Sequence, residues 1–217
     1  MRKLVIWGSG GHAREINWLC EELDVQVMGF LDERPEFKGR IVDGVPVLGT
    51  LVDIELLKNE VELVCAGVGD TSLKKRFVHE TIQSGFRIAS PLIHPRVRIS
   101  QSNIIGEGSM IFQGAILSGN IRIGQHVIIN QGVSLSHDVI ISDFVTISPG
   151  VNVAGNVTID EGAYIGIAAS VREKRHIGCW STIGGGAFVK DDVPDFTLAA
   201  GIPAVVKKRF NSTYYEP

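Results

Sequence analysis

The run Gly8-Ser9-Gly10-Gly11-His12-Ala13 is the first place where residue types and spacing suggest chemistry. Gly8-x-Gly10-x-x-Ala13 fits the dinucleotide-binding fingerprint, and Asp32 lies near where that fingerprint's ribose-binding acid belongs. In mechanical terms, a tight Gly-rich turn exposes the N–H groups at a helix start to a phosphate. A carboxylate at the end of the next strand can then hold a ribose or a base. A nucleotide-linked sugar needs the same two features. Histidine supplies the other candidate chemistry, because an imidazole titrates near 6.5 and suits general-base work near neutral pH. The chain has six: His12, His79, His94, His126, His137 and His176.

The elements that must carry these residues differ between the two parts of the chain. From Ile93, steps of six land on Ile99, Ile105, Ile111 and Leu117, and so on to Val189. All 17 positions are Ile, Leu or Val. Those residue types make up 63 of 217, so chance would give such a series with a probability on the order of 10⁻⁹. The residue four places after each is small or β-branched, except at Asn103 and Arg175. A sheet strand repeats at two and a helix at 3.6, so neither explains a period of six. This pattern resembles the hexapeptide repeat of the left-handed parallel β-helix, which implies triangular coils of three hexads with stacked aliphatic ladders. Residues 93–193 would make about five and a half coils without an inserted loop. In such coils Gly119 and Gly155 stack on His137, leaving room beside the imidazole. Adjacent strand residues face opposite ways, so Asp138 reaches His137 only if the pair turns a corner.

Residues 1–90 read as a small Rossmann-like parallel α/β domain, and residues 91–217 as the β-helix domain with a C-terminal tail. Lys3–Gly8, Gln26–Leu31 and Glu62–Ala66 read as strands. Helices are expected after Gly11 and near 71–84. Arg87–Ile93 reads as an extended segment leading into the prism.

Composition removes several function classes. Lys plus Arg is 21 against 24 Asp plus Glu, a net charge of −3, which offers no basic stripe for nucleic acid. No apolar run approaches the ~20 residues of a membrane span. Cys20, Cys65 and Cys179 are odd in number and scattered, which favours a reducing cytoplasm over a disulfide framework. No two His are separated by one whole coil or by two, so they do not stack into a three-His zinc site, and no metal is expected. His79 and His94 read as surface residues, and His126 and His176 occupy non-core hexad positions.

The whole chain resembles the sugar O- and N-acyltransferases related to sialic acid O-acetyltransferase. In particular it is similar to bacterial UDP-4-amino-sugar (bacillosamine-type) and perosamine N-acetyltransferases. The resemblance rests on Ile6-Trp7-Gly8-Ser9-Gly10-Gly11-His12 and Phe30-Leu31-Asp32-Glu33. It continues in Asn130 through Ser136-His137-Asp138, Val153-Ala154-Gly155-Asn156, Ile183-Gly184-Gly185-Gly186-Ala187 and Ala200-Gly201-Ile202-Pro203-Ala204.

The resemblance implies acetyl transfer from acetyl-CoA to the amine of a nucleotide-linked 4-amino sugar, without a metal. The setting it implies is bacterial surface glycan (lipopolysaccharide) biosynthesis in the cytoplasm. Its alternative is O-acetylation of a sialic acid or another sugar hydroxyl. It assigns His137 as base, with Asp138 raising its basicity and Asn130 nearby. Gly155 would hold the thioester carbonyl through its N–H. Thr146, Ile167 and Gly185 match cofactor contacts, and relatives carry His at the position of Thr146. Gly10, Gly11, His12, Asp32, Glu33 and Gly69 match positions that bind the nucleotide sugar, with a second Asp common at the position of Glu33. A homotrimer with active sites between prisms is also implied. Phe112, Phe144 and Phe188, at non-core hexad positions, are candidates for its contacts.

Overall fold

Lys3–Trp7 (β1) is apolar from Leu4 onward because both faces of its sheet are covered; Leu4, Val5 and Ile6 are fully buried. The computed structural model describes residues 2–211, which form two compact units with the boundary between Leu92 and Ile93. In the first unit, β1 leads into Gly11–Glu22 (α1), whose Ala13, Ile16, Leu19 and Cys20 face the core at helical spacing. The chain continues through Gln26–Leu31 (β2), Ile41–Val42 (β3), Val45–Gly49 (β4) and Glu62–Val64 (β5). Thr71–Gln83 (α2) and Arg87–Ile88 (β6) complete the unit. The sheet order is β3-β4-β2-β1-β5-β6, parallel except for the β3–β4 pair. Its strand order reverses at β1, which lies between β2 and β5. Open α/β sheets bind ligands at the carboxyl ends of strands at such a point.

In the second unit, short strands pair in parallel with the strand one full coil, or three hexads, later. Ile104, Arg122, Ile140, Thr158 and His176 stack on one face; Ile116, Ser134, Asn152, Ser170 and Phe188 stack on a second. Met110, Ile128, Thr146, Tyr164 and Thr182 stack on the third. Between faces the chain turns three edges, each marked by left-handed backbone once per coil. One edge has Gly114, Gly132, Gly150, Ala168 and Gly186; the next has Asn120, Asp138, Asn156 and Lys174. The last has Gly108, His126, Phe144, Gly162 and Trp180. This is the left-handed parallel β-helix expected from the hexads. Its interior is a continuous aliphatic column from Ile111 to Val193. Full burial of each such side chain is worth about 1.5–3 kcal/mol, and each coil obtains it only against its neighbours.

Departures from the sequence expectations have local causes. Arg87–Ile93 is split: β6 belongs to the first unit's sheet, while Leu92–Ile93 opens the third prism face. Ile99 precedes the regular coils and is 36% exposed instead of joining the ladder. Asn103 accepts from Ile121 N–H at 2.9 Å and donates to Ser118 O at 2.8 Å. His94 and His126 are buried, not surface residues. His94 Nδ1 accepts from Arg96 N–H, and His126 stacks on Phe144 with centroids 5.3 Å apart. Phe112 is buried within the chain, so it is not free for an intersubunit contact, whereas Phe188 is exposed. Beyond the prism, Thr197–Gly201 and Ala204–Arg209 form an antiparallel hairpin that extends the third face. The C-terminal tail expected after the prism is therefore in part a strand.

Candidate functional site

In the first unit, a cleft of about 610 Å³ opens at the carboxyl ends of β1, β2 and β5. Two glycines close its floor. A Cβ on Gly8 would lie 2.6 Å from Gly67 O, and one on Gly67 would lie 2.2 Å from Trp7 O. Gly8 also has φ +119°, where only glycine is at ease. Gly10, Gly11 and Gly69 line the same cleft but differ in kind: a Cβ there would meet no protein atom within 4 Å. Gly10 is the N-cap of α1 and supplies no side-chain cap, so the start of the helix borders the cleft without one. His12 lines the cleft with Nδ1 3.2 Å from Glu15 Oε2.

The two acids meet partners that the sequence reading missed. Arg34 grips Asp32 with Nε at 2.8 Å and a terminal nitrogen at 2.7 Å, and Ser9 Oγ donates to the same carboxylate. These bonds, the Arg34 guanidinium first, hold the Asp32 carboxyl down at about 2. Arg76 from α2 grips Glu33 in the same way, at 2.9 and 2.7 Å. Trp7 stacks flat on Phe77 at 4.2 Å; its buried Nε1–H has no hydrogen-bond partner among the described residues. Nothing in local spacing reveals the Glu33 contact, because Arg76 reaches across 43 residues. Arg34, two residues from Asp32, was the one within reach of inspection.

In the second unit, His137 and Asp138 stand on a prism edge. Asp138 has φ +60°, so the pair does turn a corner, and His137 Nδ1 lies 2.8 Å from Asp138 Oδ2. The Asp138 carboxyl is held below its usual range, first by the Asn120 side-chain amide and then by His137. An ionised carboxylate only accepts, so Nδ1 carries the proton and Nε2 has the free lone pair. The His137 side chain is 64% exposed. A Cβ on Gly155 would lie 2.6 Å from its Cε1 and 2.7 Å from Nε2, so the ring occupies space that only glycine leaves open.

The other predicted residues lie elsewhere on the prism. Asn130 sits at the preceding edge, buried, with Nδ2 donating to Ile147 O at 2.9 Å. Ile167 and Gly185 stack on that same edge; Ile167 is 60% exposed. Thr146 is buried on the third face between Ile128 and Tyr164. The face between the two edges has an open groove of about 510 Å³ lined by Ser134, Ser136, Asn152, Ala154, Arg172 and Phe188. Asp160, Cys179 and Asp195 place donor atoms within 4.8 Å of one another. Asp195 there accepts the Cys179 N–H and Asp160 pairs with His176, so these bonds account for the cluster without an ion.

A Rossmann-like α/β unit followed by a left-handed prism with a His–Asp pair on its edge defines a hexapeptide-repeat acyltransferase. Residues 3–81 match the model of the PglD N-terminal domain. The acetyltransferase domain of PglB from Neisseria gonorrhoeae is 32% identical, with a TM-score of 0.87, covering 95% of this chain and 100% of that one. PerB from Caulobacter crescentus, solved in complex with CoA and GDP-perosamine, is 29% identical, with a TM-score of 0.87, covering 96% and 98%. No curated protein matches the chain by sequence. The chain belongs to the family of sugar acyltransferases that has bacillosamine- and perosamine-type members.

Proposed function

We propose that this protein transfers an acetyl group from acetyl-CoA to the amine of a nucleotide-linked 4-amino sugar, by direct attack. The observation that carries the mechanism is the His137–Asp138 pair at its corner, with Nε2 free beside Gly155. His137 takes a proton from the attacking amine as the new C–N bond forms. The Gly155 N–H faces the developing oxyanion, where a fixed donor is worth most. As the C–S bond breaks, His137 returns the proton to the thiolate. The Gly-rich cleft of the first unit receives the nucleotide: a helix start without a side-chain cap suits phosphate, and Gly10, Gly11 and Gly69 leave the room. Likeness to PerB, solved with CoA and GDP-perosamine, and to the PglB domain, solved with acetyl coenzyme A, supports this choice of substrates. The setting is bacterial surface glycan biosynthesis in the cytoplasm.

We propose that the protein works as a homotrimer, and the placement of the site residues supports that reading. His137 and Gly155 stand on one prism edge, while Ile167, Gly185 and Asn130 stand on another, a full prism side away. One site can use both sets only if edges of neighbouring copies meet.

Thiol release from acetyl-CoA, measured with UDP-, dTDP- and GDP-4-amino sugars and with sialic acid, tests the proposal. Release that requires an amino sugar, in protein that light scattering shows to be a trimer, is the expected result. Release with sialic acid alone would select the O-acetyl alternative, and full activity in a monomer would remove the shared site.

A further inference from the structure

The edge that carries His137 also carries Asn120, one coil earlier. Asn120, Asp138 and Asn156 occupy equivalent positions with φ of 60°, 60° and 59°. Asn and Asp adopt this left-handed backbone more readily than other non-glycine residues. The Asn120 side-chain amide donates to Asp138 Oδ1, while Asp138 Oδ2 faces His137 Nδ1. The carboxylate thus has one oxygen for each neighbour, and turning it breaks one bond or the other. Asn120 is itself anchored: its backbone N–H donates to Ser102 Oγ at 2.9 Å, and that hydroxyl lies 2.9 Å from Ser100 Oγ.

We infer that Asn120 is a positioning residue for acetyl transfer: its side-chain amide fixes the Asp138 carboxylate so that His137 keeps the Nδ1–H tautomer with Nε2 free. The inference rests on the reading of His137 as base. Three features make Asn the suitable residue. Its amide donates to a carboxylate that can only accept. It is neutral, so it adds no charge beside the imidazole. It also accepts the left-handed corner, which a longer donor such as Gln does less readily. The sequence carried the signal: Asn120 stands one coil before Asp138, just as Gly119 stands one coil before His137.

The test compares wild type with Asn120→Gly, Asn120→Asp and His137→Ala, using steady-state kinetics and NMR of the His137 ring nitrogens. Asn120→Gly keeps the corner and deletes the amide; Asn120→Asp keeps the shape and replaces the donor with an acceptor. Both should lower kcat about tenfold with KM values nearly unchanged, the usual scale for losing a hydrogen bond to a charged group. In both, the Nδ1–H tautomer should cease to dominate, a change that a merely structural corner residue would not cause. Using two variants keeps the test valid if one fails to fold. Wild-type kcat and an unchanged tautomer in a folded Asn120 variant, with His137→Ala inactive, would overturn the inference while leaving the base in place. If His137→Ala retains its rate, the base reading fails, and the NMR result alone decides whether Asn120 orients the ring.

Discussion

Glycine does opposite things in the two halves of this molecule. In the front cleft, Gly10, Gly11 and Gly69 leave space that no protein atom fills. On the prism edge, Gly155 leaves space that the His137 ring already occupies. The acids differ in parallel. Asp32 and Glu33 are each gripped by an arginine, which stays charged at any working pH, whereas Asp138 is held by an amide and by an imidazole that can titrate. The front half thus sets its acids in a fixed electrostatic frame. The prism edge is built to keep one titratable group aimed.

Changes on the prism edge should act on turnover, and changes in the cleft on binding. The largest effect expected is that of His137→Ala, a loss in kcat of roughly 10²–10⁴ with little change in KM, since the imidazole acts mainly in the transition state. Next comes Gly155→Ala. The added methyl would need the place of the ring, and displacing a reacting group by about 1 Å can cost on the order of 10² in rate. Melting temperature should move little, because the ring can swing outward into solvent. In the cleft, Gly11→Ala should leave kcat and KM for acetyl-CoA alone and raise KM for the nucleotide sugar about tenfold, the pattern of lost uniform binding. A kcat loss there instead would break the division of labour.

The smallest effect is on stability. The Asp32 carboxyl is held at about 2 when folded, against about 3.9 for an unperturbed Asp. A depressed folded value means the group stabilises the fold above the unfolded value, and that this is lost as pH falls through the folded one. Melting curves of wild type and Asp32→Asn should therefore differ by a constant amount above about pH 5. They should converge as the pH falls below about 4 toward 2.

How much of this was legible in the sequence depended on the range of the interaction. The prism was legible because each ladder residue is buried by neighbours at a fixed period, so Ile123, Ile141 and Ile159 recur once per coil. The Gly-rich turn was legible because only glycine suits Gly8. The corner at Asp138 was harder to read, since left-handed backbone here falls on Asn, Asp and even Lys174 instead of glycine. The hairpin of β3 and β4 escaped because Ile41–Val42 is too short to show a period. Arg76 escaped because a long side chain finds its carboxylate in space, not in sequence, whereas Arg34 stands only two residues from Asp32.

The central claim is direct transfer between two substrates bound together, with His137 Nε2 as the base. Initial rates measured over a grid of acetyl-CoA and nucleotide amino-sugar concentrations test it most directly. Intersecting double-reciprocal lines, which a ternary complex requires, are the predicted result; parallel lines, or an acetylated enzyme isolated in the absence of the sugar, would contradict it.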